Sequence, residues 1–260
     1  MVHTHELTFA GSVLTKRYVS WGRGEHRREW TVLRLVHRCA PDLVPAPLSA
    51  RLDADPPVIT MSRLPGEPLG GALSARQLAA LAGAITRLWR VPLEGDEQWT
   101  VMAGPWADDL AFARRLTDGP RPAAGLTRDA YDAAVGWWNG PDPQLLRTRP
   151  AELILGHRDP NLANYLYDGD RVRIVDFEDA GMSDPANEIA ILAEHMSARD
   201  IEVSDLLAHF PAVDEQRLRA ARRGWAMFWL RLLLPGGPAA RRNPPGTAER
   251  QAARLLDLLA

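Results

Sequence analysis

The strongest constraint on the fold of this chain comes from two polar strings, His157–Asn164 and Asp176–Glu178, each of which adjoins a short apolar run. Between them, the turn-forming residues 168–170 (Asp-Gly-Asp) predict a β-hairpin. Because a hairpin brings its two ends together, we expect Asn164 and Asp176 to lie side by side. The sequence therefore predicts a small polar site at the open end of this hairpin.

These side chains are of the types that phosphoryl transfer from ATP requires. Asp159 offers a carboxylate to orient or deprotonate an attacking hydroxyl, and Asn164 and Asp176 offer hard oxygen ligands for Mg²⁺. The alternative is purely structural: Asp159 and Asn164 cap turns in a polar loop, and Asp176 ends a strand. The His-x-Asp-x-x-x-x-Asn spacing, followed by an apolar strand that ends in Asp-Phe-Glu, favours the catalytic interpretation.

The same residues resemble the motifs of the aminoglycoside phosphotransferase and choline kinase-like family, whose members are relatives of the protein kinases. The catalytic pattern of that family, His-Gly-Asp-x-x-x-x-Asn, is similar to His157–Asn164, and its metal-binding strand ends Ile-Asp-Phe/Trp-Glu, similar to residues 175–178. The resemblance implies that Asp159 is the catalytic carboxylate and that Asn164 and Asp176 hold Mg²⁺. Three departures from the family pattern leave those residues untouched: Arg158 and Ser183 replace glycine, and Glu188 replaces aspartate.

Lys16 is the only lysine in a chain that contains 30 arginines. Its retention indicates either a position that needs a compact ammonium or chance survival on a strand surface. Lys16 and Glu29 resemble the Lys–Glu pair of the family, in which the lysine contacts the α- and β-phosphates and a helix glutamate orients it. The alternative for Glu29 is a solvated charge on a helix.

Two further segments resemble nucleotide-binding elements of the family. Gly11 and Ser12 resemble a shortened phosphate-covering loop, but a plain hairpin turn is an equal alternative because only 15 residues precede Lys16. Residues 58–66 resemble the hinge whose backbone binds the adenine edge. This resemblance implies that Ser62, Arg63 and Leu64 line the nucleotide site.

The composition argues against several classes of protein. The formal net charge of −2 lacks the basic footprint of a nucleic-acid binder. No apolar run approaches the ~18 residues of a membrane span, and the first residues do not resemble a secretory signal. The single Cys39 excludes an internal disulfide and a cysteine-based metal cluster. We therefore expect a cytoplasmic protein without a nucleic-acid or membrane partner, and the oligomeric state stays open.

The predicted fold class is α+β, and the resemblance implies a protein-kinase-like fold with two lobes. Residues 1–66 would form a small β-rich nucleotide-binding lobe, and residues 67–260 a larger, mainly helical lobe with the catalytic loop and acceptor site. Strands are predicted over residues 7–9, 13–19, 57–61, 153–155, 164–167 and 172–175. Helices are predicted over residues 25–38, 75–91, 106–116, 127–138, 185–196, 204–209, 214–234 and 248–259.

The resemblance implies an enzyme that transfers the γ-phosphate of ATP to a hydroxyl of a small molecule, with ATP and Mg²⁺ as cofactors. Acceptors in the family include aminoglycosides and other antibiotics, amino alcohols and sugars, and the sequence does not select among them. One alternative is a non-catalytic nucleotide-binding or scaffold protein. Another is a protein kinase, which the short interval between Asp176 and Asp184 disfavours because it leaves no room for a peptide-positioning loop.

Overall fold

The computed structural model describes residues 5–93 and 106–260, and the chain divides into two compact units. The first unit comprises residues 1–104, 153–184 and 200–211, and the second comprises residues 105–152, 185–199 and 212–260. The division into lobes at residue 66 is a different partition and stays a prediction. Within the described ranges, no helix is long and apolar enough to cross a membrane.

The first unit begins with a four-stranded antiparallel sheet of order β1-β2-β4-β3. Its strands are β1 (Glu6–Ala10), β2 (Val13–Arg17), β3 (Pro47–Arg51) and β4 (Val58–Ser62). Helix α1 (Glu25–Cys39) packs on β3 and β4. The apolar face of α1 recurs at helical spacing, with Val32, Leu33 and Val36 fully buried, and this burial fixes the helix on the sheet.

The remainder of the first unit carries the hairpin that is predicted from the turn at residues 168–170. The strands are β5 (Glu67–Pro68), β6 (Ile154–Gly156), β7 (Tyr165–Tyr167), β8 (Val172–Ile174) and β9 (Gly181–Ser183). Strands β5, β7 and β8 form one antiparallel sheet, and β6 pairs with β9. Helix α2 (Ala75–Trp89) packs on β6 and β8. A short 3₁₀ helix, Leu162–Asn164, stands where the sequence predicts the start of a strand.

The second unit is helical in its described residues. The remaining helices, in chain order, are α3 (Trp106–Asp118), α4 (Leu126–Trp138), α5 (Asp142–Arg147), α6 (Pro185–Glu194), α7 (Val203–Leu207), α8 (Glu215–Leu233) and α9 (Thr247–Leu259). All except α7 belong to the second unit, and α8 packs on α3, α5, α6 and α9. Trp225 in α8 is buried and donates its indole N–H to Asn187 Oδ1 at 2.8 Å, which joins α8 to α6.

Candidate active site

Lys16 lies at the centre of a cluster of carboxylates in the first unit. Its Nζ donates to Glu29 Oε2 at 2.7 Å, to Asp176 Oδ1 at 2.6 Å and to Glu178 Oε2 at 2.8 Å. Lys16 is 4% exposed and Glu29 is 2% exposed, so both charges are removed from water. The structure thus brings together the lysine and glutamate that the sequence pairs, and adds two carboxylates from the Asp-Phe-Glu string.

Three different elements supply these groups. Lys16 lies on β2, where it pairs with Leu7 of β1 on one side and with Ile59 of β4 on the other. Glu29 lies near the start of α1, on its buried face. Asp176 follows the end of β8. The sheet, the helix and the hairpin therefore converge on one ammonium group.

The electrostatics of the cluster keep Lys16 charged. Burial alone would lower the pKa of Lys16, but the three carboxylates outweigh burial and raise it above its ordinary value. Burial raises the pKa of Glu29 and of Asp176, against the opposing effect of the ammonium. Burial would also raise the pKa of Glu178, yet the hydrogen bond from His5 and the Lys16 charge hold it at about 2.

Two further side chains, which the sequence analysis missed, contact the carboxylates of this cluster. The Tyr18 hydroxyl donates to Glu29. His5 Nε2 lies 2.7 Å from Glu178 Oε2, and its ring packs against that of Tyr18 with centroids 4.6 Å apart. Tyr18 follows Lys16 at the two-residue period of a strand face, a signal that could have found it. Nothing in the sequence near His5 points to its partner.

The predicted catalytic loop forms a second polar group in the same unit. Asp159 Oδ2 accepts a hydrogen bond from Asn164 Nδ2 at 2.9 Å, and Asp159 Oδ1 accepts one from the Asn161 backbone N–H at 3.2 Å. His157 is 2% exposed, and its ring nitrogens lie 2.6 Å from the Asp159 carbonyl oxygen and 2.9 Å from that of Val175. His157 therefore ties the loop to the end of the hairpin.

The hairpin places Asn164 and Asp176 as its register requires. Tyr165 pairs with Ile174, and the Val175 N–H donates to the Asn164 carbonyl at 3.0 Å, so Asn164 lies opposite the end of β8. The Asn164 side chain is nevertheless bound to Asp159, whereas the Asp176 carboxylate is bound to Lys16.

Two residues of this region adopt left-handed backbone conformations that disfavour side chains. Arg158 has φ 62° and Asp176 has φ 68°. Such conformations cost on the order of 1–3 kcal/mol each and concentrate at functional sites. The position of Arg158 therefore explains why glycine suits this place in the family pattern. Arg158 directly precedes Asp159, and Asp176 is itself one of the residues that the sequence analysis singles out.

The predicted metal ligands, Asn164 and Asp176, offer an amide oxygen and a carboxylate at the open end of one hairpin. Oxygen atoms of Glu29, Asp176 and Glu178 also lie within 4.8 Å of one another, but all three residues accept hydrogen bonds from Lys16 Nζ. Carboxylate and amide oxygens are the ligands that Mg²⁺ takes in nucleotide sites. Asp176, whose side chain is 36% exposed, is the most accessible of the three carboxylates.

The structure places Gly11 and Ser12 beside the predicted hinge, away from Lys16. They form the two-residue turn between Ala10 and Val13, and the Arg63 N–H donates to the Ser12 carbonyl at 2.8 Å. Lys16 is four positions beyond Ser12 along the strand, about 13 Å at the ordinary rise per residue. A phosphate-covering role for Gly11 and Ser12 stays a prediction that this geometry does not support.

The hinge residues surround that turn. Val13 pairs with Ser62, whose hydroxyl accepts a hydrogen bond from the Ala46 N–H at 2.8 Å. Arg63 stacks over the exposed Phe9 ring, 5.3 Å from its centroid. Leu64 follows β4 and is half-buried. These residues are joined to the sheet that carries Lys16, and their role in binding adenine stays a prediction.

The sheet, helices and connecting hairpin of this chain form a kinase-like phosphotransferase fold. A choline/ethanolamine kinase family protein from Mesorhizobium loti has this fold with a TM-score of 0.68 at 17% identity, over 100% of this chain and 86% of that one. The gentamicin complex of APH(2″)-IIa matches with a TM-score of 0.65 at 14% identity, over 98% and 87%. ADP-bound APH(2″)-Ib, an aminoglycoside phosphotransferase, matches with 0.59 at 14% identity, over 99% and 93%.

The structural relatives show only the fold, whereas the sequence also identifies the family of the chain. The model of the phosphotransferase enzyme family, APH, matches residues 13–233, so the chain belongs to that family. This confirms the resemblance read from the catalytic and metal-binding motifs. No curated protein matches the chain in sequence.

Proposed function

We propose that this protein transfers the γ-phosphate of ATP to a hydroxyl group of a small molecule. The observation that carries the proposal is the convergence, within one compact unit, of the Lys16–Glu29 pair, Asp176, and the hydrogen-bonded Asp159–Asn164 pair. Membership of the phosphotransferase family and the ADP in a structural relative support the use of a nucleotide.

In this proposal each polar group has a separate task. Lys16, oriented by Glu29, holds the α- and β-phosphates, and Asp159 orients the acceptor hydroxyl and receives its proton. Asn164 and Asp176 are the residues that would hold Mg²⁺, which neutralises charge on the phosphates when it is bound. His157 fixes the loop that carries Asp159 to the end of the strand that precedes Asp176. In this proposal, most of the rate gain comes from holding the acceptor and the phosphates in position for transfer.

The backbone of residues 62–64 would bind the adenine edge, with Ser62, Arg63 and Leu64 as lining. For the acceptor we propose an antibiotic such as an aminoglycoside, an amino alcohol or a sugar. One structural relative is named as a choline/ethanolamine kinase family protein and another is bound to gentamicin, which supports this range of acceptors. The cytoplasmic location and the lack of nucleic-acid and membrane partners stay predictions.

One observation favours a second candidate, a nucleotide-binding protein without catalysis. The Gly11–Ser12 turn lies at the hinge rather than beside Lys16, so the structure provides no phosphate-covering loop among its described residues. The catalytic proposal is nevertheless preferred, because a binding-only protein has no need of the Asp159–Asn164 pair or of the strained backbone at Asp176.

The two candidates are separated by the substitution Asp159→Asn. The variant keeps the shape of the loop but removes the carboxylate that accepts the proton, so we expect turnover to fall about a thousandfold with little change in nucleotide affinity. ADP release from Mg-ATP is measured against pooled aminoglycosides, peptide antibiotics, amino alcohols, sugars and nucleosides. Affinity for Mg-ADP is measured in parallel by calorimetry.

A matched control is Asp170→Asn, which makes the same change in the exposed turn of the hairpin, where the Asp170 side chain is 84% exposed. The control should release ADP at the wild-type rate. Near-normal turnover by Asp159→Asn would exclude Asp159 as the base. Nucleotide binding by the wild type without ADP release in any pool would instead favour the binding-only candidate.

A further inference from the structure

The hydrogen-bond capacity of Lys16 is fully used in this structure. An ammonium group has three N–H donors, and those of Lys16 are directed at Glu29, Asp176 and Glu178. A phosphate oxygen can be bound by Lys16 only after one of these carboxylates is released. Which carboxylate stays and which one leaves therefore decides how the nucleotide site opens.

Two of the three carboxylates have a second side-chain contact besides Lys16. Glu29 accepts from the Tyr18 hydroxyl, and Glu178 Oε2 lies 2.7 Å from His5 Nε2, at ion-pair distance. For Asp176, Lys16 is the only side-chain donor found within residues 5–93 and 106–260. Asp176 is thus the carboxylate that depends on Lys16, whereas Glu29 and Glu178 keep a second contact when Lys16 turns away.

The orientation of the His5 ring is fixed by its other contacts. His5 Nδ1 accepts the Val19 backbone N–H at 3.1 Å, so in the neutral ring the proton is on Nε2, the atom that faces Glu178. The ring also packs on Tyr18, and His5 is 6% exposed. These contacts hold the ring with Nε2 against the Glu178 carboxylate.

The strand register brings the His5 side chain to the end of the sheet that carries Lys16. Leu7 pairs with Lys16 and Glu6 pairs with Arg17, so His5, immediately before β1, lies at the Lys16 end, opposite the Gly11–Ser12 turn. His5 and the Gly11–Ser12 turn therefore lie at opposite ends of the β1–β2 hairpin.

We propose that His5 is a positioning residue for nucleotide binding: it holds Glu178 in place so that Lys16 can leave that carboxylate for the nucleotide phosphates. Without His5, Glu178 would be a buried carboxylate bound by Lys16 alone, and Lys16 would leave it only at the cost of an uncompensated charge. This role rests on the proposed function, because it assumes that Lys16 binds phosphates.

The test compares two substitutions that each keep one nitrogen of the imidazole. His5→Gln places an amide N–H near the position of Nε2 and keeps the contact to Glu178, whereas His5→Asn keeps only the contact to the Val19 N–H. We expect His5→Asn to raise the Kd of Mg-ADP about tenfold, and His5→Gln to restore most of the affinity. The assay is calorimetric titration with Mg-ADP, which needs no acceptor.

A histidine in the same unit is the control for loss of packing. His26 is 5% exposed and also packs on the Tyr18 ring, and among the described contacts it has none with Glu178. His26→Asn should therefore lower the melting temperature without changing the Kd of Mg-ADP. The same cycle in a Glu178→Gln background should show no further loss from His5→Asn, because the group through which His5 acts is then neutral.

Each outcome bears on one of the two proposals. Wild-type affinity in His5→Asn, or equal loss in His5→Asn and His5→Gln, would overturn the role of His5 and leave the phosphotransferase proposal intact. Failure of the wild-type protein to bind Mg-ADP would overturn the proposed function, and the role of His5 with it.

Discussion

At the scale of single residues, Lys16 shows why one lysine is needed in a chain that otherwise uses arginine. Its three tetrahedral donors reach three carboxylates that converge from different directions. A guanidinium presents its donors in one plane and suits paired oxygen atoms on one carboxylate or phosphate. Of the two interpretations that the sequence left open for Lys16, a position that needs a compact ammonium agrees with this geometry, and survival on a strand surface does not.

The substitution Asp176→Ala tests the predicted metal ligand. It removes one carboxylate from the cluster and leaves Lys16 with an N–H donor to spare, so binding of ADP without metal should be unchanged or tighter. The gain in ADP affinity that Mg²⁺ gives should fall from about tenfold or more to none. The measurement is a pair of ADP titrations, one with Mg²⁺ and one with EDTA.

The control for this prediction is Asp179→Ala, three residues further along the same segment. Asp179 forms its ion pair with Arg23 at 3.4 Å and lies outside the Lys16 contacts. It should keep the wild-type ratio of the two affinities. An unchanged ratio in Asp176→Ala would show that Asp176 is not a metal ligand.

The residues of the site were predictable from the sequence where a short motif or a strand register links them. The hairpin put Asn164 opposite Val175, the residue before Asp176, because the turn between the two strands is local. The contact of His5 with Glu178 was not predictable, since it joins the first strand to a loop far along the chain and no motif marks it. The bond of the Asn164 amide to Asp159 likewise depends on the folded loop.

At the scale of elements, local sequence signals predicted most helices and both hairpins. They did not predict strands that pair with residues far away in the sequence. Strand β3 was missed because Pro41, Pro45 and Pro47 together indicate a connector, although Pro47 is tolerated at the start of an edge strand. Strand β9 has three residues and is defined only by its pairing with β6. Helix α5 has six residues, too few for periodicity to indicate it.

The start of helix α2 is marked by a capping motif whose two residues, Ser74 and Gln77, are both visible in the sequence. The Ser74 hydroxyl accepts from the Gln77 N–H at 3.3 Å, and the Gln77 side chain accepts from the Ser74 N–H at 3.0 Å, which is a capping box. Ser74→Ala leaves one backbone donor without its cap. We expect the free energy of unfolding to fall by about 1 kcal/mol, measured by urea denaturation.

The comparison variant for this change is Ser49→Ala, at an exposed position of β3 with no cap to lose. Its unfolding free energy should stay within about 0.5 kcal/mol of the wild type. If both variants lose the same stability, the capping box is not what stabilises the start of α2.

At the scale of the whole molecule, the fold class and the family were the most secure predictions from the sequence. The α+β, kinase-like fold is confirmed by relatives that share at most 17% identity among those compared above, so little of it depends on particular surface residues. The family match spans residues 13–233, which include parts of both compact units. The acceptor was not predictable, because no motif of the helical residues constrains it.

A substitution in the second unit can test whether the stability of the protein and its proposed nucleotide affinity depend on different residues. Every residue of the Lys16 cluster belongs to the first unit, whereas Glu194 belongs to the second. Glu194 is fully buried and accepts hydrogen bonds from Arg222 at 2.8 Å and Arg254 at 2.5 Å, which joins α6, α8 and α9. Removing its carboxylate leaves two partly buried guanidinium groups without their counter-ion.

Glu194→Ala should therefore lower the free energy of unfolding by about 3 kcal/mol, seen as a lower melting temperature. In the folded variant, at a temperature well below that transition, the Kd of Mg-ADP should stay within about twofold of the wild type, because the ion pairs of Glu194 share no partner with the Lys16 cluster. A tenfold loss of affinity in a protein that is still folded would contradict this independence. It would mean that the ion pairs of the second unit help to set the geometry around Lys16.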